Sequence, residues 1–147
     1  MKGHLRLTLI RHGLVNVAIG VLAGFPYSLV LTGDAPGSAR AWHQAHMEGI
    51  ITGLLVLGAA SIIDMTVLGE KNRARMAVAF IVQAYGFTLG ALWGALAGVR
   101  GLGPELPVSN LLMFAVNALA IASVLFGMAL AIFGVFRKEA RSLRDRA

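Results

Sequence analysis

The sequence predicts an all-α membrane protein, a bundle of four transmembrane helices with N and C termini cytoplasmic, and three observations predict it. Of its 147 residues 57% are hydrophobic and only 14% charged, with a mean hydropathy of +0.75, whereas a soluble domain carries about a quarter charged residues. A hydrocarbon core of about 30 Å takes about 20 apolar residues of helix, and four runs of that length stand between charged or turn-forming segments. The lysines and arginines alternate between the ends of those runs with a strong bias to one side.

The first span is expected at about 14–31, behind the basic residues Lys2, Arg6 and Arg11. Its apolar stretch is too long for a signal-peptide core, and no small-residue cleavage site precedes the loop around Asp34, so it reads as a permanent span. The polar loop Thr32 to Ala41 leads to a second span at about 42–65. The basic turn Gly69-Glu70-Lys71-Asn72-Arg73 leads to a third at about 76–99. Arg100 to Pro107, with its Gly-Pro and Leu-Pro breaks, precedes the fourth at about 108–136. Residues 137–147 form a basic tail, amphipathic or disordered, that serves as a topology anchor. All connections are short, which makes residues 1–147 a single compact integral membrane domain. Eleven of the thirteen lysines and arginines fall on the side of the two termini, and Arg40 and Arg100 on the other. Both termini and the tail are therefore expected in the cytoplasm, with the Asp34 and Pro104 loops facing outward.

The absence of cysteine excludes disulfides, thiolate metal sites, iron–sulfur clusters and a cysteine nucleophile. The net charge of +6 sits at the ends of apolar runs rather than on a soluble face, which excludes a nucleic-acid partner and leaves the lipid bilayer as the first one. Gly86, Gly90, Gly94 and Gly98 form a four-residue-spaced stripe in the third span, and Gly20/Gly24 and Gly49/Gly53 repeat the spacing elsewhere. Such stripes let helix backbones approach closely. Ionisable groups in lipid are costly, and His43, His46 and Glu48 cluster in the first turns of the second span. At 100° per residue His46 shares a face with Trp42, Gly49 and Gly53, Glu48 points roughly opposite, and Thr52 lies about 120° round. Tyr27, Trp93, Asn110 and Asn117 belong to the same outward half, and Asn16 and Gln83 to the inner half as interhelical hydrogen-bonding groups. Two histidines three residues apart, without cysteine or a well-placed carboxylate, are an incomplete zinc site. His12 and His46 are separated by nearly the bilayer thickness and cannot share one iron. From the residues alone, His46 is either hydrogen-bonded structure or a single cofactor ligand.

The stretch from Pro36-Gly37-Ser38 through Trp42 to Ala45-His46, followed by Gly53, resembles the membrane-bound styrene oxide isomerases, small four-helix proteins that share P-G-S, then W-x-x-A-H, then a later glycine. Weaker similarity runs along nearly the whole chain: His12-Gly13 opens the first span, Arg100-Gly101-Leu102 matches the last loop and Leu125-Phe126-Gly127 falls in the fourth helix. The resemblance implies haem b between the subunits of a homotrimer in the bacterial inner membrane. His46 would be the axial iron ligand, with Trp42, Gly49 and Gly53 around the cofactor. It implies isomerisation of an apolar aryl epoxide to an aldehyde: an open iron position polarises the epoxide oxygen, the C–O bond opens toward a benzylic cation, and a 1,2-hydride shift gives the carbonyl.

Two positions depart from that family. Thr52 stands where the family has an asparagine that orients the epoxide, keeping a hydroxyl donor but losing the amide. Ala91 stands where the family has its active-site tyrosine, and Tyr85, one and a half turns earlier, is the candidate to take that place. Thr52 and Tyr85 are thus the expected catalytic residues. The rival reading is a non-catalytic haem-binding or electron-transfer protein. A small transporter without cofactor is a third, although the first span lacks the acid that four-span drug exporters carry there.

Overall fold

The computed structural model describes the backbone of residues 2–144 and the side chains of residues 3–137. The described residues form helices α1 (Lys2–Thr32), α2 (Ala39–Ile62), α3 (Glu70–Ala97) and α4 (Val108–Arg144), with a 3-10 turn, Ile63–Met65, continuing α2. All four helices are long and apolar enough to cross a membrane. Three run past their apolar windows into charged sequence. α1 starts at Lys2 rather than near residue 14, α3 starts at Glu70, and α4 carries the basic tail as helix as far as Arg144. Hydropathy marks what lipid can accept, whereas backbone hydrogen bonding continues as long as helix-compatible residues follow. Residues 145–147 of the expected tail lie outside the described residues.

Local chemistry explains the helix ends. Ser38 caps α2, its Oγ accepting from the Ala41 amide at 3.3 Å. α3 stops at Gly98, whose φ of 67° is left-handed, a conformation available to glycine without strain. Gly98 is therefore a cap and not the fourth member of a packing stripe.

Successive helices run antiparallel, and glycine decides where they meet. Gly13 faces Gly53 and Leu57, Gly20 faces Gly49 and Ile50, and Gly24 faces His46. A Cβ on Gly20 would stand 2.7 Å from the Gly49 carbonyl carbon, and one on Gly53 would stand 2.8 Å from the Gly13 oxygen. Both α1 and α2 thus surrender side chains so that their backbones touch. Gly86, Gly90 and Gly94 of α3 do the same against Ala120, Asn117 and Met113 of α4. Leu9, Val56, Ile63, Met76 and Phe80 fill the core at the end that carries the termini. Toward the opposite end the core narrows to Ala23, Ala45 and Ala91, with Trp42 packed against them.

The expected compact bundle is, in the structure, a three-helix core of α1, α2 and α3 with α4 leaning on α3 and making few contacts to α1 or α2. A gap is left between α2 and α4. The outward surfaces are strongly apolar, with Leu22, Phe25, Leu125 and Phe136 among the exposed side chains.

Candidate functional site

His46 lies about two turns into α2, on the face turned to α1. Its Nδ1 is 2.8 Å from the backbone carbonyl oxygen of Gly20. A carbonyl only accepts, so Nδ1 carries the proton and Nε2 keeps its lone pair. The approach is possible because Gly24 has no side chain: a Cβ there would stand 2.9 Å from Nδ1 and 3.1 Å from Cε1. Tyr27 stacks on the imidazole, with ring centroids 6.3 Å apart and planes 18° apart, and meets His43 edge-on at 5.3 Å. A ring held by a backbone acceptor on one nitrogen, with the other free, is how proteins present a metal-ligating histidine.

Farther along α1 toward the N-terminus sits a buried polar cluster. The Asn16 Nδ2 is within reach of three acceptors: the Gly49 carbonyl at 3.1 Å, Thr52 Oγ1 at 2.7 Å and Thr88 Oγ1 at 2.9 Å. Thr52 donates its hydroxyl proton to the Glu48 carbonyl at 2.5 Å, so it has no free donor. Asn16, Thr52 and Thr88 are all buried. The Asn16 Oδ1 is buried without a partner, and so is the Oε1 of Gln83, which does not make the interhelical bond expected of it. Another turn toward the N-terminus, the Tyr85 hydroxyl meets His12 Nδ1 at 3.0 Å, with the two rings edge to face.

The structure thus brings His46 together with Gly20, Gly24 and Tyr27, and places the other expected residues elsewhere. Gly49 and Gly53 lie under α1, where they hold the two helices together. Thr52 belongs to the Asn16 cluster, and Tyr85 is joined to His12, roughly 12–18 Å along α1 from the level of His46. Trp42 packs into the alanine cluster. The separation of His12 from His46 is about half of the bilayer thickness expected from the sequence, because His46 lies two turns inside α2 rather than at its end, and it still keeps the two rings from sharing one iron. Gly20 and Gly24 are the parts of the His46 environment that sequence reasoning did not assign to it. Their four-residue spacing along α1 was visible, but their partner on α2 was not.

The opposite face of α2, where the helical angle directs Glu48, borders the gap beside α4. A cavity of about 290 Å³ lies there, lined by Gln44 and Glu48 of α2, Phe87 and Ala91 of α3, and Met113, Phe114 and Asn117 of α4 among others. An adjoining cavity of about 180 Å³ shares Gln44, Ala91, Leu102 and Met113 and reaches Ser38, Arg40 and Arg100.

Among the described residues no group of three His, Cys, Asp or Glu side chains converges to hold a metal ion. His46 therefore offers one nitrogen alone. Such a site suits a metal that arrives with its remaining donors, as iron does in a porphyrin. A family model described as styrene oxide isomerase matches residues 5–136. Among curated proteins none matches the chain.

Proposed function

The chain belongs to the styrene oxide isomerase family, and from that membership together with the His46 geometry we propose that it is a haem b-dependent membrane isomerase. It would convert an apolar epoxide to a carbonyl compound by ring opening and a 1,2-hydride shift, without a redox partner. The observation that carries the reading is the hydrogen bond from His46 Nδ1 to the Gly20 carbonyl, which leaves Nε2 as a preoriented donor. When bound there, the haem supplies Lewis acidity toward the epoxide oxygen.

The chain's own residues have distinct parts in this reading. His46 would hold the iron, and Gly24 admits its ring to the α1 backbone. Gly49 and Gly53 act at one remove, by keeping α1 close enough for the Gly20 carbonyl to reach the imidazole. Trp42, one turn before His46, packs against the alanine cluster beyond the site. Thr52 fixes the register of α1, α2 and α3 through Asn16 and Thr88, and Tyr85 orients His12. The cavity on the far side of α2 is the space for substrate, with Ala91 in its wall. Because His46 and the cavity occupy opposite faces of α2, the complete site takes one half from each of two copies, in keeping with a homotrimer in the bacterial inner membrane. An apolar epoxide would enter from the bilayer.

The engaged hydroxyls of Thr52 and Tyr85 favour one second reading, a haem-binding or electron-transfer protein without catalysis. The test is to purify the protein in detergent from haem-replete cells and record its spectrum beside that of His46→Ala. We expect a Soret band in the wild type that is lost or strongly shifted in the variant; an unchanged band would remove His46 as the ligand. Ferric protein supplied with aryl and alkyl epoxides is expected to yield aldehyde. Two strong axial ligands in the resting spectrum would instead establish the second reading.

A further inference from the structure

Glu48 is the one acidic residue between Asp34 and Asp64, and it stands about 14 Å along α2 from the first residue of that helix. A carboxyl group at such a depth is expensive unless something meets it. Among the described residues nothing does: its side chain is partly buried and forms no hydrogen bond or ion pair, facing the cavity instead. It lines the cavity of about 290 Å³ between α2, α3 and α4. Gln44, one turn away on the same face, lines it too. Across the cavity, Asn117 Nδ2 has only a long 3.5 Å contact to the Gly101 carbonyl. The remaining walls include Phe87, Met113, Phe114 and Ile121. An apolar cavity with a few convergent polar groups is the usual form of a small-molecule site, and this volume is at the small end of the range of about 300–1,000 Å³ for such sites. It suits a body of about one ring.

We propose that this cavity binds a small apolar molecule carrying a single hydrogen-bond donor, a hydroxyl or an ammonium, and that Glu48 receives that donor. The carboxyl group accepts whether it is ionised or protonated, so the preference for a donor holds in both states. The adjoining cavity, which reaches Ser38, Arg40 and Arg100 at the loop end of the bundle, gives such a polar-substituted molecule a path to the site. Combined with the isomerase reading, on which this last step alone rests, the inference names the substrate class: an epoxide that also bears a hydroxyl or amino group.

The test uses the haem-loaded protein in detergent and three unreactive probes with one common body, 2-phenylethanol, 2-phenylethylamine and ethylbenzene, with binding measured by titration calorimetry. The alcohol, the amine or both should bind at least about tenfold more tightly than ethylbenzene, and which of them does identifies the donor. Glu48→Leu should bring the three within about twofold of one another. Glu48→Gln, which keeps an acceptor but no charge, should spare the alcohol and remove any preference for the amine. Ala91→Phe, which fills the cavity from α3, should weaken all three. Equal binding of the three probes to the wild type would overturn the proposal, as would a donor preference that survives Glu48→Leu or tight binding that survives Ala91→Phe. If Glu48→Leu does not fold, Glu48→Gln and Ala91→Phe decide. Turnover of unsubstituted aryl epoxides without any donor preference would overturn the proposal and leave the isomerase reading standing. Donor-selective binding with no carbonyl product from any epoxide would do the reverse.

Discussion

At Gly24 the absence of a methyl group decides where an imidazole sits. The His46 ring lies so close to α1 that an alanine Cβ at position 24 would be 2.9 Å from Nδ1, well inside van der Waals contact. The ring cannot keep both that position and its 2.8 Å bond to Gly20. Gly24→Ala should therefore turn the ring and break its bond to the Gly20 carbonyl, while leaving His46, the proposed haem ligand, in place. Loss of such an outer partner typically lowers metal affinity by about 10–100-fold, and a loss of that order is expected in haem retention, measured as the rate of transfer to apomyoglobin. Unchanged retention would mean that the Gly20 bond does not orient the ligand. In the sequence these glycines read alike as packing residues, and Gly20 and Gly49 are that; Gly24, with the same spacing, makes room for the His46 ring. Nothing in the order of residues separates the two roles, because the difference lies in what stands opposite on α2.

Between elements, the register of α1, α2 and α3 rests on Asn16. Its two Nδ2 hydrogens serve Gly49 and Thr52 of α2 and Thr88 of α3, in a layer where the backbone contact of Gly20 with Gly49 is one turn away. Apolar packing against lipid-like neighbours gives little register preference, so a shared polar centre of this kind selects one sliding position out of several. Asn16→Leu should destabilise the protein by about 1–3 kcal/mol, the usual cost of leaving buried polar partners unmet, read from unfolding in mixed detergent. Thr52→Val and Thr88→Val should each cost less, and the double variant should depart from additivity because both hydroxyls face the same amide and, at 3.2 Å, each other. Additive losses would show that the three groups do not act as one cluster. The sequence reading of Asn16 as an interhelical hydrogen-bonding group holds in the structure, whereas Gln83, assigned the same role, has an Oε1 that finds no partner. A polar residue in a span announces that it needs a partner, while the partner's identity depends on helix rotation and register that no single helix encodes.

At the scale of the whole molecule, the four spans were legible because lipid imposes one length and one polarity on every helix that crosses it. The lean of α4 onto α3 was not, since its apolar surface reads the same whether it meets lipid or protein. The direction of insertion belongs to this scale too, and it follows from charge alone. Arg6, Arg11, Lys71, Arg73, Arg75 and Arg137 lie at the end of the bundle that carries the termini, against Arg40 and Arg100 at the other. Cationic segments are retained on the cytoplasmic side during insertion, so the termini end should face the cytoplasm and the Ser38 and Gly103 loops should face away. The chain lacks cysteine, which makes the measurement clean: each introduced thiol is the sole target for a maleimide. Ser38→Cys should react with a membrane-impermeant maleimide in intact spheroplasts, and Lys71→Cys only after the membrane is opened. Both positions are exposed, so an unreactive thiol reports the barrier and not burial. The reverse pattern would invert the protein in the membrane and move the end of the adjoining cavity, at Arg40 and Arg100, to the cytoplasmic face. A donor-bearing substrate would then have to reach the site from the cell interior.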